Sequence, residues 1–274
     1  MLLWPLVAAT VGVVTGMIEK PEVTPQLCAA FLSCSRLHLL NRTINAFVQY
    51  MQSHEPNITY QIALVDNGSG EQLTSILQRL PIDIYASSKV NVGIAAGMNI
   101  LYFGLCRNSP YIITLEEDWE ARLTWPLSLP SITMSIEILR HDPTVLEVWL
   151  RDFDYGLRWH QNRSAWLETS SGRQYRRQYQ RNGVWGAYTN GASVKDSSRL
   201  RDVGFMKGVN GELNYAVRVG QKGYASAHFC PLTDKRCDGR FQSSTWVFRH
   251  IGDKQRSIGH QYFERRVGEK SPDW

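Results

Sequence analysis

The chain has 274 residues, of which 43% are hydrophobic and 20% are charged, and its formal net charge is +5. This composition excludes a disordered or low-complexity chain, and the small basic excess does not by itself indicate nucleic-acid binding. The length suits one large α/β domain or two small ones.

The N-terminus begins with an apolar run, residues 1–17, which contains two threonines and is not preceded by Lys or Arg. Three interpretations are open: a signal peptide or signal anchor within residues 1–20, a buried strand or helix of the domain, or a start site misplaced within a longer anchor. Asn-x-Ser/Thr triplets begin at Asn41, Asn57, Asn67 and Asn162. They agree with a secretory-pathway protein of the Golgi or ER, with or without a membrane anchor.

Apolar periodicity predicts strands that alternate with helices along most of the chain. The predicted strands cover residues 28–34, 60–65, 82–86, 111–115, 145–150 and 223–229. The predicted helices cover residues 36–51, 71–80, 91–105, 131–140, 195–202 and 211–222. This alternation favours βαβ units around a largely parallel sheet.

The pattern weakens between residues 152 and 190, a stretch whose basic core runs from Arg173 to Arg181. We interpret this core either as a solvated surface hairpin or loop, or as a mobile loop near an anionic donor or the acceptor.

The chain contains five cysteines, an odd number that does not make a simple disulfide framework. Cys230 and Cys237 bracket a short loop, and they are either joined by a disulfide or reduced. The absence of any Cys-x-x-Cys pair in the sequence argues against structural zinc.

Polar clusters follow three of the predicted strands, at residues 66–69 (Asp-Asn-Gly-Ser), 91–99 and 116–118 (Glu-Glu-Asp). Open parallel sheets bind ligands beyond the carboxyl ends of their strands. Each cluster alone is also explained as a turn, a helix N-cap or a solvated acidic turn. The three adjacent carboxylates repel one another, however, and a divalent cation would offset that repulsion.

The order of these motifs resembles the inverting family 2 glycosyltransferases and their GT-A relatives. The motifs are Asp66-Asn-Gly-Ser, Asn91-x-Gly-x-x-x-Gly-x-Asn99 and Glu116-Glu-Asp118, the first and last each directly after a strand. The resemblance implies an α/β fold with a Rossmann-like, mostly parallel sheet flanked by helices. It implies one domain over residues 25–265, with a nucleotide-sugar half at 25–120 and an acceptor-binding half at 121–265.

The resemblance also implies roles for residues of the donor site. Asp66 would bind the nucleotide base, while Asn91 and Gly93 would line the nucleotide site, Gly93 by allowing close backbone approach. Asp118 would hold Mn²⁺ or Mg²⁺ against the diphosphate, and His250 would complete the metal shell. The other donor-side residues implied by the resemblance are Arg36, Glu116 and Glu117. The sequence departs from the family pattern at Glu116, where Asp is commoner.

In the acceptor half, Gly211-Glu212-Leu213 is similar to the family segment that carries the catalytic base. The resemblance makes Glu212 the general base, although Leu213 replaces the second carboxylate of the family pattern. Glu212 is also explained as a favourable charge in the first turn of a helix. The acceptor-side residues implied are Trp185, Asn190 and Gly191, and core packing is the alternative for Trp185.

Together these features predict a metal-dependent glycosyltransferase that acts with inversion. The expected donor is a nucleotide-diphosphate sugar, most simply a UDP-hexose or UDP-N-acetylhexosamine, and the expected acceptor is a hydroxyl of a glycan, lipid or protein. Two alternatives are a catalytically inactive binding protein with the GT-A fold and a nucleotidyltransferase. No nucleic-acid partner is expected.

Overall fold

The computed structural model describes residues 14–17, 24–70, 77–123, 130–150, 166–179, 188–208, 211–229 and 247–252. Its strands are β1 (Val14–Met17), β2 (Leu27–Ser33), β3 (Tyr60–Asn67), β4 (Ile84–Ser88), β5 (Tyr111–Glu116), β6 (Trp119–Ala121), β7 (Val145–Trp149), β8 (Leu167–Glu168), β9 (Gln174–Gln178), β10 (Ser193–Asp196), β11 (Ala225–Phe229) and β12 (Phe248–His250). Its helices are α1 (Leu37–His54), α2 (Gly93–Asn99), α3 (Ser131–His141), α4 (Ser197–Val203) and α5 (Gly211–Gln221), and α2 continues as a π-helix over Ile100–Leu105.

A mixed sheet of ten strands forms the centre of the described structure, in the order β1-β4-β3-β2-β5-β10-β7-β11-β9-β8. The neighbours β4, β3, β2 and β5 are parallel, as are β7 and β11. Strand β10 lies antiparallel between β5 and β7. All the parallel strands therefore point the same way, and their carboxyl ends share one edge of the sheet.

Helices cover both faces of this sheet, which explains why β2 is buried along its whole length. On one face, Leu27, Ala29 and Phe31 belong to a core that includes residues of α1 and α3. On the other face, the alternate residues of β2 join a core that includes residues of α2, α4 and α5. The period of two along β2 thus divides one apolar run between two cores.

A second, two-stranded sheet pairs β12 with β6 in antiparallel register, with His250 opposite Trp119. Its buried residues, among them Phe248, join the core on the α1 side of the main sheet. The pairing brings a segment from late in the chain next to the acidic turn between β5 and β6.

The predicted elements that lie in the described residues are largely confirmed. Residues 193–196 form strand β10, and the helix expected at 195–202 begins only at Ser197. Residues 174–178 of the basic stretch form strand β9 within the main sheet, and the short strands β6, β8 and β12 were not predicted. Val14–Met17 forms a strand antiparallel to β4, which agrees with a strand of the domain, one of the three interpretations left open for residues 1–17. The helix predicted at 71–80 lies mostly outside the described residues.

A disulfide joins Cys28 of β2 to Cys106 at the end of the π-helix, and both residues are fully buried. Cys34 carries a free thiol. The pair Cys230 and Cys237 lies outside the described residues. Among the helices of the described residues, none combines the length and the apolar character needed to cross a membrane.

Candidate active site

Strand register brings the three polar clusters to the same edge of the sheet. Asp66, near the end of β3, pairs with Ser33 at the end of β2. The residue before Ser33, Leu32, pairs with Glu116 at the end of β5. Ser193, the first residue of β10, pairs with Thr114 of β5. The sequence motifs and the start of β10 therefore lie at one edge of the sheet.

Arg36 connects the end of β2 to the acidic turn that follows β5. Its Nε donates to Oε1 of Glu117 at 2.7 Å, and its Nη1 donates to Oδ2 of Asp118 at 2.8 Å. Both carboxylates are buried, with 5% and 4% of their surface exposed, whereas the Arg36 side chain is 31% exposed. One guanidinium thus neutralises two adjacent acids from the solvent side.

The two carboxyl groups have different electrostatic surroundings. Burial raises the pKa of Glu117 to about 7, because desolvation outweighs the attraction of Arg36. Burial also opposes ionisation of Asp118, but the hydrogen bond and charge of His250, together with Arg36, outweigh it. The pKa of Asp118 is consequently held below its usual value. Asp118 is therefore the carboxylate suited to remain charged.

His250 reaches Asp118 from β12, with 3.1 Å between its Nε2 and Oδ2 of Asp118. Two contacts fix the approach: the backbone N–H of Ile251 donates to the carbonyl of Asp118 at 2.8 Å, and the ring of His250 meets Trp119 edge-on at 5.2 Å. The hydrogen bond with Asp118 raises the pKa of His250 above its usual value, and partial burial only partly opposes this. Asp118 and His250, both predicted as metal ligands, therefore lie in direct contact.

The donor set at Asp118 fits a divalent cation with two protein ligands. Oδ1 of Asp118 is buried and accepts no hydrogen bond, which leaves an oxygen for a cation. A Cβ at Gly252 would lie 2.9 Å from Oδ2 of Asp118 and 2.6 Å from Cε1 of His250, so only glycine leaves this space open. Within the described residues, no three His, Cys, Asp or Glu side chains form a metal-binding group. Two ligands suffice where phosphate and water complete the shell.

Asp66 and its neighbours organise the loop expected to receive the nucleotide. Asp66 is fully buried and accepts from the backbone N–H of Ser69 at 3.2 Å and from the hydroxyl of Ser87 at 3.2 Å. Asn67 donates to Oδ1 of Asn91 at 2.9 Å and accepts from the N–H of Val92 at 2.7 Å. Asn67 thereby ties the first polar cluster to the second.

Gly68 allows these two loops to touch. It has a φ of +92°, and a Cβ there would lie 2.8 Å from the backbone nitrogen of Asn91. Any other residue would push the 91–93 segment away and would also be strained. Gly93 likewise has a positive φ, +82°, but nothing lies within 4 Å of its Cβ position. The backbone of Gly93 is thus open on the side where close approach was predicted.

Glu212 lies in the first turn of α5, where its Oε1 accepts from the backbone N–H of Asn190 at 2.7 Å. Asn190 is buried, and its Oδ1 accepts from the hydroxyl of Tyr188 at 2.8 Å. Gly191 continues this segment into β10, with its N–H donating to Thr189 Oγ1 at 3.1 Å. The predicted base is therefore held by the segment predicted to face the acceptor.

A buried network of polar side chains, which the sequence analysis did not predict, lies beside residues 189–191. Lys195 is fully buried and pairs with Glu147, with 2.8 Å between Nζ and Oε2. Nζ of Lys195 also donates to Ser193, whose hydroxyl donates to the carbonyl of Gly191 at 3.0 Å. Lysine and glutamate are surface residues by default, so only the strand register could have identified the pair.

The structure brings together most of the predicted site residues: Arg36, Asp66, Asn91, Gly93, Glu116, Glu117, Asp118, Asn190, Gly191, Glu212 and His250. Trp185 lies outside the described residues. The nearby Tyr188 is fully buried, and its hydroxyl lies 2.8 Å from that of Tyr102.

Neither a protein-family model nor a curated protein sequence matches this chain. Among solved structures, it is similar to the mannosyltransferase PcManGT from Pyrobaculum calidifontis in complex with GDP-Man and Mn²⁺. The identity is 13% and the TM-score is 0.50, over 86% of this chain and 65% of that one. It is also similar to S. aureus TarS 1-349 in complex with UDP-GlcNAc, at 9% identity and a TM-score of 0.50, over 77% of this chain and 56% of that one.

The chain spans less than two thirds of the length of these solved proteins. At such low identities the likeness shows the fold alone. The fold is of the GT-A type, with a mixed sheet whose central strands are mostly parallel and flanked by helices. This confirms the fold predicted from the sequence.

Proposed function

We propose that this chain is a glycosyltransferase that moves a sugar from a nucleotide-diphosphate sugar to an acceptor hydroxyl. The observation that carries the proposal is that the Asp118–His250 pair and the Asn190–Glu212 contact lie at the same edge of a GT-A-type sheet. The similarity to proteins solved with GDP-Man or UDP-GlcNAc supports a nucleotide-sugar donor. We favour a UDP-sugar, and we favour inversion, as in the family 2 enzymes that the motifs resemble.

On the donor side, the chain supplies positive and polar groups for a nucleoside diphosphate. The Asn67–Asn91 contact and the open backbone at Gly93 shape the nucleotide loop. Arg36, partly exposed beside Asp118, provides a guanidinium for phosphate oxygens. Asp66 holds this loop through Ser69 rather than offering both oxygens to the base.

Asp118 and His250 would hold Mn²⁺ or Mg²⁺, through the unpartnered Oδ1 of Asp118 and the ring of His250. A bound cation would supply Lewis-acid neutralisation of the charge that develops on the departing diphosphate. The two proposed ligands belong to different segments, so the β6–β12 pairing is required to keep them together.

On the acceptor side, Glu212 would accept the proton of the attacking hydroxyl. Its Oε1 is fixed by the N–H of Asn190, which orients the carboxylate towards the crevice edge. The hydroxyl oxygen then bonds to the anomeric carbon as the bond to the diphosphate breaks. A base so placed contributes about 10²- to 10⁴-fold to the rate.

The proposal includes a location in the secretory pathway, in the Golgi or ER. The buried disulfide between Cys28 and Cys106 supports it, because disulfides persist in oxidising compartments.

Thermal unfolding of the whole chain with a panel of UDP- and GDP-sugars, each with MnCl₂ or with EDTA, tests the proposal. A ligand present at about 100 times its Kd adds about 2.7 kcal/mol, which corresponds to a rise in Tm of several degrees. We expect such a rise for one donor and only with Mn²⁺. No rise with any nucleotide would refute the proposed function, and an equal rise in EDTA would refute the metal requirement alone.

A further inference from the structure

Among the arginines of the basic stretch that the structure describes (Arg173, Arg176 and Arg177), Arg176 lies on the site side of the sheet, and the proposed mechanism does not use it. Its partner in the β9–β11 pairing is His228, which meets the ring of Trp149 edge-on at 4.6 Å. Trp149 in turn pairs with Ser193 at the start of β10. These residues form one row across the sheet, from the Asn190–Glu212 contact to Arg176.

The row lies on the sheet face covered by α5, because its neighbour Lys195 contacts the ring of Tyr188 and Tyr188 packs against Tyr215. Three strand spacings separate β10 from β9, which is about 14 Å. Arg176 therefore lies on the same face of the sheet as the Asn190–Glu212 contact, three strands away from β10.

The guanidinium of Arg176 is partly buried, and it has no anionic partner among the described residues. Its carbon lies 4.1 Å from the centre of the Trp166 ring, which fixes the plane of the group. Its Nε is buried and donates no hydrogen bond, and burial lowers the pKa of Arg176. Among the described residues, no carboxylate forms an ion pair with it, and the acid nearest in register, Glu168, lies opposite Gln174.

In the part of the chain that the structure describes, the polar groups near Arg176 add no negative charge. His228 shares a contact of 2.9 Å with the amide of Gln178, and the carboxylate of Glu147 is already neutralised by Lys195. A stacked, partly buried guanidinium with spare N–H groups matches the two oxygens of a carboxylate or phosphate. Leaving those groups unpaired costs free energy that an anion would recover.

We propose that Arg176 and Trp166 form a subsite for an anionic group of the acceptor, a phosphate or carboxylate that lies away from the hydroxyl that receives the transferred sugar. The assignment to the acceptor rests on the proposed function. The anion-binding property itself does not.

The experiment measures the binding of glucose, glucose 6-phosphate and glucuronate to the whole chain by saturation-transfer NMR and titration calorimetry at low salt. We expect both anionic sugars to bind about ten- to hundredfold more tightly than glucose, the range expected for hydrogen bonds to charged groups. Whichever of glucose 6-phosphate and glucuronate binds more tightly shows whether the subsite prefers a phosphate or a carboxylate. Equal binding of all three would overturn the proposal.

Arg176→Gln should remove this preference, and Arg176→Lys should keep part of it. Arg173→Gln is the matched control, because Arg173 belongs to the same hairpin but acts on Glu137 of α3, across the sheet. A preference that survives Arg176→Gln, or that is lost equally in Arg173→Gln, would overturn the proposal. If Arg176→Gln does not fold, wild type is compared with Arg176→Lys. Lysine cannot reproduce the two-point contact, so the preference for anionic sugars should be weaker in Arg176→Lys. An unchanged preference would overturn the proposal.

Binding of UDP with MnCl₂, measured on the same samples, separates this inference from the proposed function. Arg176→Gln should leave UDP affinity unchanged. If wild type does not bind UDP but prefers anionic sugars, the proposed transferase function is refuted and the subsite is retained. If wild type binds UDP but shows no preference for anionic sugars, the subsite alone is refuted.

Discussion

At the scale of single residues, Asp118 is the point on which the donor site depends. It accepts from Arg36 at 2.8 Å, lies 3.1 Å from His250, and keeps a buried oxygen without a partner. Asp118→Asn preserves the size of the side chain but removes the charge that attracts a cation. We expect the gain in UDP affinity that Mn²⁺ provides to disappear. Substitution of a residue that only supports a metal ligand typically lowers metal affinity about 10- to 100-fold, and loss of a ligand should cost at least as much. Titration calorimetry of UDP with MnCl₂ or EDTA measures this.

Glu120→Gln provides the control for that change. Glu120 is two residues away and pairs with Arg249 at 2.6 Å, outside the proposed metal contacts. It should leave the Mn²⁺ effect intact. An unchanged Mn²⁺ effect in Asp118→Asn would remove Asp118 from the metal site.

Glu212 provides the second prediction at this scale. Glu212→Gln keeps an oxygen to accept from the N–H of Asn190 but can no longer take a proton. We expect kcat to fall by about 10²- to 10⁴-fold while donor affinity stays constant. The readout is UDP release from the donor selected by the thermal panel, and Asn214→Ala, an exposed change on the same helix, is the control. Equal loss in both variants would indicate damage to α5 and not a missing base.

At the scale of elements, the strands with apolar runs could be predicted from the sequence and the polar ones could not. β2, β3, β5 and β7 are buried along most of their length and consist mainly of apolar residues, which Glu147 interrupts in β7. β10 has the sequence Ser-Val-Lys-Asp and could not be predicted as a strand, because its polar residues pair inside the protein, with Lys195 bound to Glu147. Period-two patterns assume that polar side chains face water, and here they do not.

The candidate site follows the same division. Asp66, Asp118 and Glu212 could be identified because each directly follows a recognisable strand or begins a helix. Arg176 could not, because its partner His228 lies 52 positions further along the chain and only the β9–β11 register joins them. The shared edge itself depends on strand order, which no local pattern encodes.

One helix terminus depends on a residue distant in sequence. The residue before α3 is Pro130, which offers no side-chain cap, and Glu55 takes its place. Glu55 accepts from the N–H of Ile132 at 2.6 Å and from the hydroxyl of Thr133 at 2.6 Å. Glu55→Ala should lower the free energy of unfolding by about 1–3 kcal/mol, because buried donors lose their acceptor. Urea unfolding followed by circular dichroism measures the loss.

The pH dependence of Glu55 has a defined sign. Burial raises its pKa above the usual value, and the hydrogen bonds from Thr133 and Ile132 oppose this only in part. A carboxyl whose pKa is higher in the folded state stabilises most below its unfolded pKa, and loses that contribution as pH rises through the folded pKa. The stability of wild type relative to Glu55→Gln should therefore fall as pH rises above about 4.5. A difference independent of pH would contradict the assignment.

At the scale of the whole molecule, the two predicted halves share one sheet and are further joined by direct contacts. Asn99 of α2 donates to the carbonyl of Met206 at 2.9 Å and accepts from its N–H at 2.8 Å. A Cβ at Gly211 would lie 2.7 Å from that of Ala95, so α5 begins directly against α2. Helix α5, which carries the proposed base Glu212, is thus held directly against α2, which follows the proposed nucleotide loop.

The disulfide between Cys28 and Cys106 closes a span of 78 residues that includes β3, β4 and α2, which is most of the predicted nucleotide-sugar half. Cross-linking so long a segment reduces the entropy of the unfolded chain, and removing a native disulfide typically costs about 2–5 kcal/mol. We expect the double variant Cys28→Ala, Cys106→Ala to lose stability in this range in urea, whereas Cys34→Ser, which removes the free thiol, should change it little. Alkylation in denaturant without reductant, followed by peptide mass spectrometry, should label Cys34 and leave Cys28 and Cys106 unmodified. Labelling of Cys28 or Cys106 in that experiment would show that the bridge does not form, and the expected loss of stability would then be confined to the cavity left by two small buried side chains.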